Sequence, residues 1–181
     1  MKKIILTLAV VFAFGYANAQ KAKFGVKGGL NIATLTGDVE DASSLIGFQI
    51  GGFAEIKISE KFSIQPELMY SSQGASSDLG GDLKLDYINI PVMAKFYVAK
   101  SFSLEAGPQI GFLVSAKADG EDVKDFVSST DFGFNFGAGY DFTEKLSAGL
   151  RYNLGLSNVD DSDSGDSIKN AVISITLGYK F

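Results

Sequence analysis

The side chains with the most chemical potential in this chain are seven charged residues set into otherwise apolar stretches: Lys27, Glu55, Lys57, Glu67, Lys95, Glu105 and Arg151. Paired carboxylates such as Glu55 and Glu67 have the makings of acid–base catalysis if their surroundings drive the two protonation states apart. Cations accompany them here, so structural ion pairs are the expected role. Histidine and cysteine are both absent. That excludes Ser-His-Asp hydrolysis, His-ligated zinc or haem, thiolate metal sites, disulfides and lipid anchoring through cysteine. Gly28-Gly29, Gly51-Gly52 and Gly80-Gly81 do not form a phosphate loop, because neither Lys-Ser/Thr nor a helix follows them. The run Asp160-Asp161-Ser162-Asp163-Ser164-Gly165-Asp166 invites a calcium reading. Gly165 stands where an EF-hand ligand belongs and no bidentate Glu follows, so a solvated acidic loop is expected. No catalytic residue, cofactor or metal ligand is assigned, and an enzyme is not expected.

The elements that must position these charges are β-strands. Residues Lys169 to Phe181 alternate with almost no error: Ile173, Ile175, Leu177, Tyr179 and Phe181 point one way, and Val172, Ser174, Thr176, Gly178 and Lys180 the other. Three similar turns punctuate the chain: Ser59-Glu60-Lys61, Ala99-Lys100-Ser101 and Thr143-Glu144-Lys145. Each precedes an apolar-Ser-apolar run (Phe62-Ser63-Ile64, Phe102-Ser103-Leu104, Leu146-Ser147-Ala148), and Lys23-Phe24-Gly25-Val26 resembles these. Four hairpin units give eight strands, expected at 23–34, 45–58, 62–71, 84–98, 102–115, 130–142, 146–157 and 169–181. Ten residues at ~3.3 Å each, tilted about 40°, span roughly the 25 Å apolar band of a transmembrane barrel. In the fourth strand, Leu85 and Tyr87 fit one register and Ile88 and Ile90 the other, so a β-bulge is expected there.

The second face decides between a membrane barrel and a soluble one. It carries the charged residues above together with Gly25, Gly29, Asn31, Gln49, Gly51, Gln65, Gln109, Asp131, Asn135, Gly137, Gly139, Gly149 and Asn153. Such a glycine-rich, mixed-sign face suits the crowded interior of eight strands and not a soluble barrel's outer surface. The predicted fold is therefore all-β, an eight-stranded antiparallel up-and-down transmembrane barrel.

The N-terminus carries the same address. Lys2 and Lys3, the apolar run Ile4 to Tyr16 and the Ala17-Asn18-Ala19 motif read as a signal peptide over residues 1–19, cleaved between Ala19 and Gln20, leaving the barrel domain at 20–181. Long connections are expected at 35–44, 72–83, 116–129 and 158–168, alternating with the three short turns. Long extracellular loops and short periplasmic turns place both termini in the periplasm. The loops hold thirteen acidic residues and two lysines, a net charge of −11. That field favours an extracellular cationic ligand or divalent cations and disfavours nucleic acid. Membrane lipid is the other expected partner, and the barrel is expected to be a monomer.

Several ordered segments resemble the small outer-membrane β-barrel proteins of Bacteroidota, porin-family and PorT-like. They are Gly25-Val26-Lys27-Gly28-Gly29-Leu30-Asn31, Ile64-Gln65-Pro66-Glu67-Leu68-Met69-Tyr70 and Leu85-Asp86-Tyr87-Ile88-Asn89-Ile90-Pro91, then Gly137-Ala138-Gly139-Tyr140, Arg151-Tyr152-Asn153-Leu154-Gly155-Leu156 and Leu177-Gly178-Tyr179-Lys180-Phe181. The resemblance implies an outer-membrane location, with assembly directed through the terminal aromatic strand (Tyr179, Phe181) to the barrel-assembly machinery. It implies no single activity. The leading expectation is a non-enzymatic barrel with a structural or surface-interaction role through its acidic loops. A passive channel for water, ions or very small solutes and a scaffold in a protein-secretion system are the alternatives.

Overall fold

The alternation becomes a closed barrel. The computed structural model describes residues 22–39, 42–77, 81–161 and 167–181. The expected signal peptide and its Ala19/Gln20 junction lie outside the described residues, as does most of the Asp-rich run after Asp161. The strands are β1 Ala22–Gly37, β2 Ala42–Lys57, β3 Phe62–Ser77, β4 Asp82–Tyr97, β5 Phe102–Ala118, β6 Thr130–Asp141, β7 Leu146–Gly155 and β8 Ile168–Lys180. Every neighbour pair is antiparallel, and β1 closes on β8. The seam runs from Gly25 opposite Lys180 to Gly37 opposite Ile168, and the Phe181 N–H donates to the Phe24 carbonyl at 2.9 Å. Closure leaves none of these eight strands with an unpaired edge in the wall, which is what lipid demands of a sheet.

The three turns share one hydrogen-bond pattern. In each, two successive N–H groups (Ile58 and Ser59, Val98 and Ala99, Phe142 and Thr143) donate to the carbonyl of the apolar residue that opens the next strand. Around this end, aromatic residues ring the outside: Phe24, Phe96, Phe102, Tyr140, Phe142, Tyr179 and Phe181 are all exposed. Phe62 pairs with Phe96, and Phe102 with Tyr140, in cross-strand rows. Above them the outer face is aliphatic and aromatic, with Leu30, Phe48, Ile50, Leu68, Leu104, Phe132, Phe136 and Leu150 all exposed. A wall with this much outward apolar area is stable only against lipid, and its aromatic rim suits the membrane–water boundary.

The strands overrun the sequence-based bounds at the loop end. β3 continues to Ser77 rather than stopping near residue 71, and β2 begins at Ala42 rather than 45. The connections at 38–41 and 78–81 are therefore as short as the turns at the other end, and only the third and fourth remain long. The cause is chemical. Outward residues become Thr36, Ser44, Ser76 and Lys84 where the wall leaves lipid, which ends the apolar pattern but not the hydrogen-bond ladder. Sixteen-residue strands rise roughly 40 Å at the usual tilt, so about a third of that height stands clear of the apolar band. Within the third connection, Asp119 and Gly120 both have positive φ (51° and 89°) and join Ala118 to Glu121 in a tight hairpin. Asp-Gly is the pair such a turn favours.

The expected bulge within β4 is corrected in its strand and its cause. The register steps where Asp86 faces Ser115 but Tyr87 faces Leu113, so the extra residue is Val114 on β5. β4 itself alternates without a break, with Leu85, Tyr87, Asn89, Pro91, Met93 and Lys95 all facing inward and buried. A second irregularity lies in β2 between Ser44 and Gln49. The three prolines also have a place. The ladders skip the rows holding Ala54/Pro66, Glu67/Pro91 and Val92/Pro108 on three successive strand pairs. Each proline lacks the donor its row would need, and aligning the gaps confines the loss to one oblique line of the wall.

Candidate functional site

The lumen is the only enclosed chemistry among the described residues, and it is layered. Nearest the termini lies an ionic layer. Glu67 on β3 is its centre, accepting from Lys27 Nζ at 2.6 Å and from both Arg151 guanidinium nitrogens at 2.9 and 3.0 Å. Arg151 also reaches Glu105 at 3.0 Å, Glu105 reaches Lys95 at 3.3 Å, and Lys95 reaches Glu55 at 3.5 Å. Glu55 then meets Lys180 at 2.8 Å, and Lys180 meets Asp141 at 3.1 Å. The network is continuous across all eight strands and pairs four cations with four carboxylates, so it carries no net charge. The Gln65 amide donates to Glu67 at 2.7 Å and the Tyr97 hydroxyl to Glu55 at 2.8 Å, filling remaining acceptor positions. Buried charges are tolerated only when paired and hydrogen-bonded in this way.

Of the seven charged residues singled out in the sequence, the fold brings together Lys27, Glu55, Glu67, Lys95, Glu105 and Arg151. Lys57 is the correction. It is exposed at the mouth near the termini, where it helps line an open vestibule of about 670 Å³ with Lys23, Lys61 and Lys100. The pattern of twos places it inward, but it sits one step beyond the end of the packed interior. Lys57→Met is accordingly expected to change stability by no more than about 0.5 kcal/mol in a urea titration of the lipid-embedded barrel. Three partners escape the sequence reading of the ionic cluster. Lys180 is inward by alternation but belongs to a strand otherwise read for its aromatic ends. Asp141 closes β6 beside a turn. Tyr97 carries no charge and so is not counted with the ionic residues, although its ring lies 5.6 Å from the Lys95 ammonium.

Above the charges comes an amide and hydroxyl layer. Asn31 donates to Ser71 Oγ at 2.9 Å and accepts from Ser174 at 3.0 Å. Asn153 donates to Asn135 at 3.2 Å, and Asn135 donates to Gln109 at 3.2 Å. At the loop end the interior turns apolar: Leu35, Ala75, Leu85, Tyr87, Leu113, Ala116 and Val159 form one buried cluster. Leu85 and Tyr87, which spoiled the alternation of a purely polar inner face, belong here.

The layers leave little room. The void among Lys27, Lys95, Glu105 and Arg151 is about 30 Å³, enough for one or two waters. Phe53 fills the space beside Gly25 and Gly178, whose missing side chains make way for its ring. Every carboxylate of the ionic layer is held by a cation, which suits structure rather than proton transfer. No group of three or more His, Cys, Asp or Glu side chains placed to hold a metal ion occurs among the described residues.

The comparisons with known proteins agree with this architecture. Neisserial surface protein A superposes with a TM-score of 0.64 at 22% identity, covering 88% of this chain and 99% of its own. Ail, the attachment invasion locus protein of Yersinia pestis, superposes at 0.57 with 12% identity, covering 89% and 99%. Ail solved with the heparin analogue sucrose octasulfate gives 0.55 and 16%, with 89% and 99% covered. At these identities the likeness is one of fold. No curated protein matches the chain. Residues 18–161 match the family described as outer membrane protein beta-barrel domain, and with its closed barrel, apolar outer band and filled lumen the chain belongs to that family of outer-membrane proteins.

Proposed function

We propose that this protein is a non-enzymatic barrel that acts through its acidic loop surface and does not conduct solute. One observation carries the reading: an unbroken, charge-neutral ion network crosses the lumen, with an apolar cluster stacked above it. A solute would have to break desolvated ion pairs and then pass a dry layer. What remains for function is the loop end, where Asp119, Glu121, Asp122, Asp125, Asp160 and Asp161 gather among the described residues. We place this end outside the cell and both termini in the periplasm, with residues 1–19 removed on export. The surface suits a cationic ligand or divalent cations, the opposite of the polyanionic heparin analogue bound by Ail. A PorT-like membership, a source among Bacteroidota, a monomeric state and recognition of the Tyr179/Phe181 strand by the barrel-assembly machinery belong to the same proposal.

Planar-bilayer recording tests it. The folded protein is expected to give no conductance steps at high protein load, while liposomes carrying it bind polylysine in a salt-sensitive way and ignore heparin. Steady ohmic steps would make it a channel instead. A defined periplasmic or inner-membrane partner captured by crosslinking in native membranes would make it a secretion scaffold.

A further inference from the structure

One buried carboxylate stands outside the ion network. Asp131, inward on β6 between the amide and apolar layers, is 3% exposed, and no cation lies within ion-pair distance of it among the described residues. Its neighbours are neutral: Ser157 Oγ donates to it at 3.0 Å, and the Asn170 side chain lies beside it. Around it, side-chain oxygens go unpartnered. Asn89 Oδ1 and Asn170 Oδ1 are buried with no donor, on residues only 5% and 1% exposed. Asn89, Gly111 and Asp131 form one inward row across β4, β5 and β6. Gly111 has no side chain, and Asn89 Oδ1 projects over it into the space flanked by Tyr87 and Asp131. A buried carbonyl oxygen with no donor, set beside the side chain of an unpaired buried aspartate, is unfavourable unless something positive lies near them. The ionic layer below is neutral, so Asp131 leaves the interior one negative charge in excess.

We propose that this pocket binds a single hard monovalent cation, sodium, held by the Asp131 carboxylate and by Asn89 Oδ1, Asn170 Oδ1 and Ser157 Oγ. Oxygen-only donors suit a hard ion, and the single carboxylate balances one positive charge. The ion would tie β4, β6 and β8 to the chain leaving β7, under the apolar cluster, and so act as an internal brace. The site is separate from the acidic loops.

The probe is the ion itself. Raising sodium from about 1 to about 100 mM, with N-methyl-D-glucamine chloride holding ionic strength constant, is expected to slow urea unfolding of the lipid-embedded barrel about tenfold. D131N should unfold at one rate throughout. N89A, which keeps the carboxylate, should need several-fold more sodium for the same effect, so the test survives if D131N folds poorly. Crystals grown with thallium(I) in place of sodium should show an anomalous peak beside Asp131. Unfolding indifferent to sodium in the unaltered protein would overturn the proposal. So would a crystal with no peak and the Asn89 amide turned to donate to Asp131, or a protonated-carboxyl infrared band lost in D131N.

Discussion

Glu67→Gln is expected to destabilise the barrel by about 3–5 kcal/mol, the usual cost of removing one member of a buried ion pair. Glu67 has a fully buried side chain and holds Lys27 at 2.6 Å and Arg151 at 2.9 Å. Glutamine fills the same volume but leaves two cations facing a neutral amide, with an uncompensated positive charge in a dry interior. Urea unfolding in lipid bilayers, followed by the heat-dependent gel shift and by circular dichroism, measures the loss. Adding Lys27→Met to Glu67→Gln restores neutrality, so the double variant should be more stable than Glu67→Gln alone. A cost below about 1 kcal/mol for the single change would mean that water screens the lumen well enough for the charges to stand alone. The sealed-lumen reading would then fall with it.

Tyr87→Ala is expected to cost about 3–5 kcal/mol through the cavity it opens under the loops. The ring is 1% exposed and belongs to the cluster of Leu35, Leu85, Leu113 and Val159. Tyr87→Phe isolates the hydroxyl, whose contact with the Asn170 amide is long at 3.5 Å, and should cost no more than about 1 kcal/mol. The two variants thus separate packing from hydrogen bonding at one position. Tyr87→Ala should also remain silent in bilayer recording, because the ionic layer still closes the other half of the lumen. If conductance appeared with Tyr87→Ala alone, the apolar cluster would be the sole barrier and the charged layer would be permeable.

The site was legible one residue at a time but not as a set. Inward placement of Lys27, Glu55, Glu67, Lys95, Glu105 and Arg151 follows from strand alternation, a local property with period 2. Lys57 obeys the same alternation and still ends at the open mouth, because alternation assigns a face and not a depth. Leu85 and Tyr87 read as a fault only on the assumption of a uniformly polar interior. The bulge does lie close to them, but Val114 on the partner strand supplies the extra residue. The full length of β3 is hidden in the sequence because Ser72 and Ser76 look like loop, whereas backbone pairing with β4 persists to Ser76.

By itself the sequence determined the number of strands, the two faces, the repeated turns and the apolar band, and with them a barrel in a membrane. These rest on interactions between near neighbours and on the rule that lipid admits no unpaired backbone. Only the tertiary structure decided which inward residues share a level. Glu67 meets Arg151 across 84 positions of chain, and Lys95 meets Glu55 across 40. The stagger between successive strands sets those meetings, accumulating around the barrel until β1 closes on β8. That closure turns a polar face into a neutral ionic layer under an apolar cap, and it leaves Asp131 between them with oxygens for neighbours.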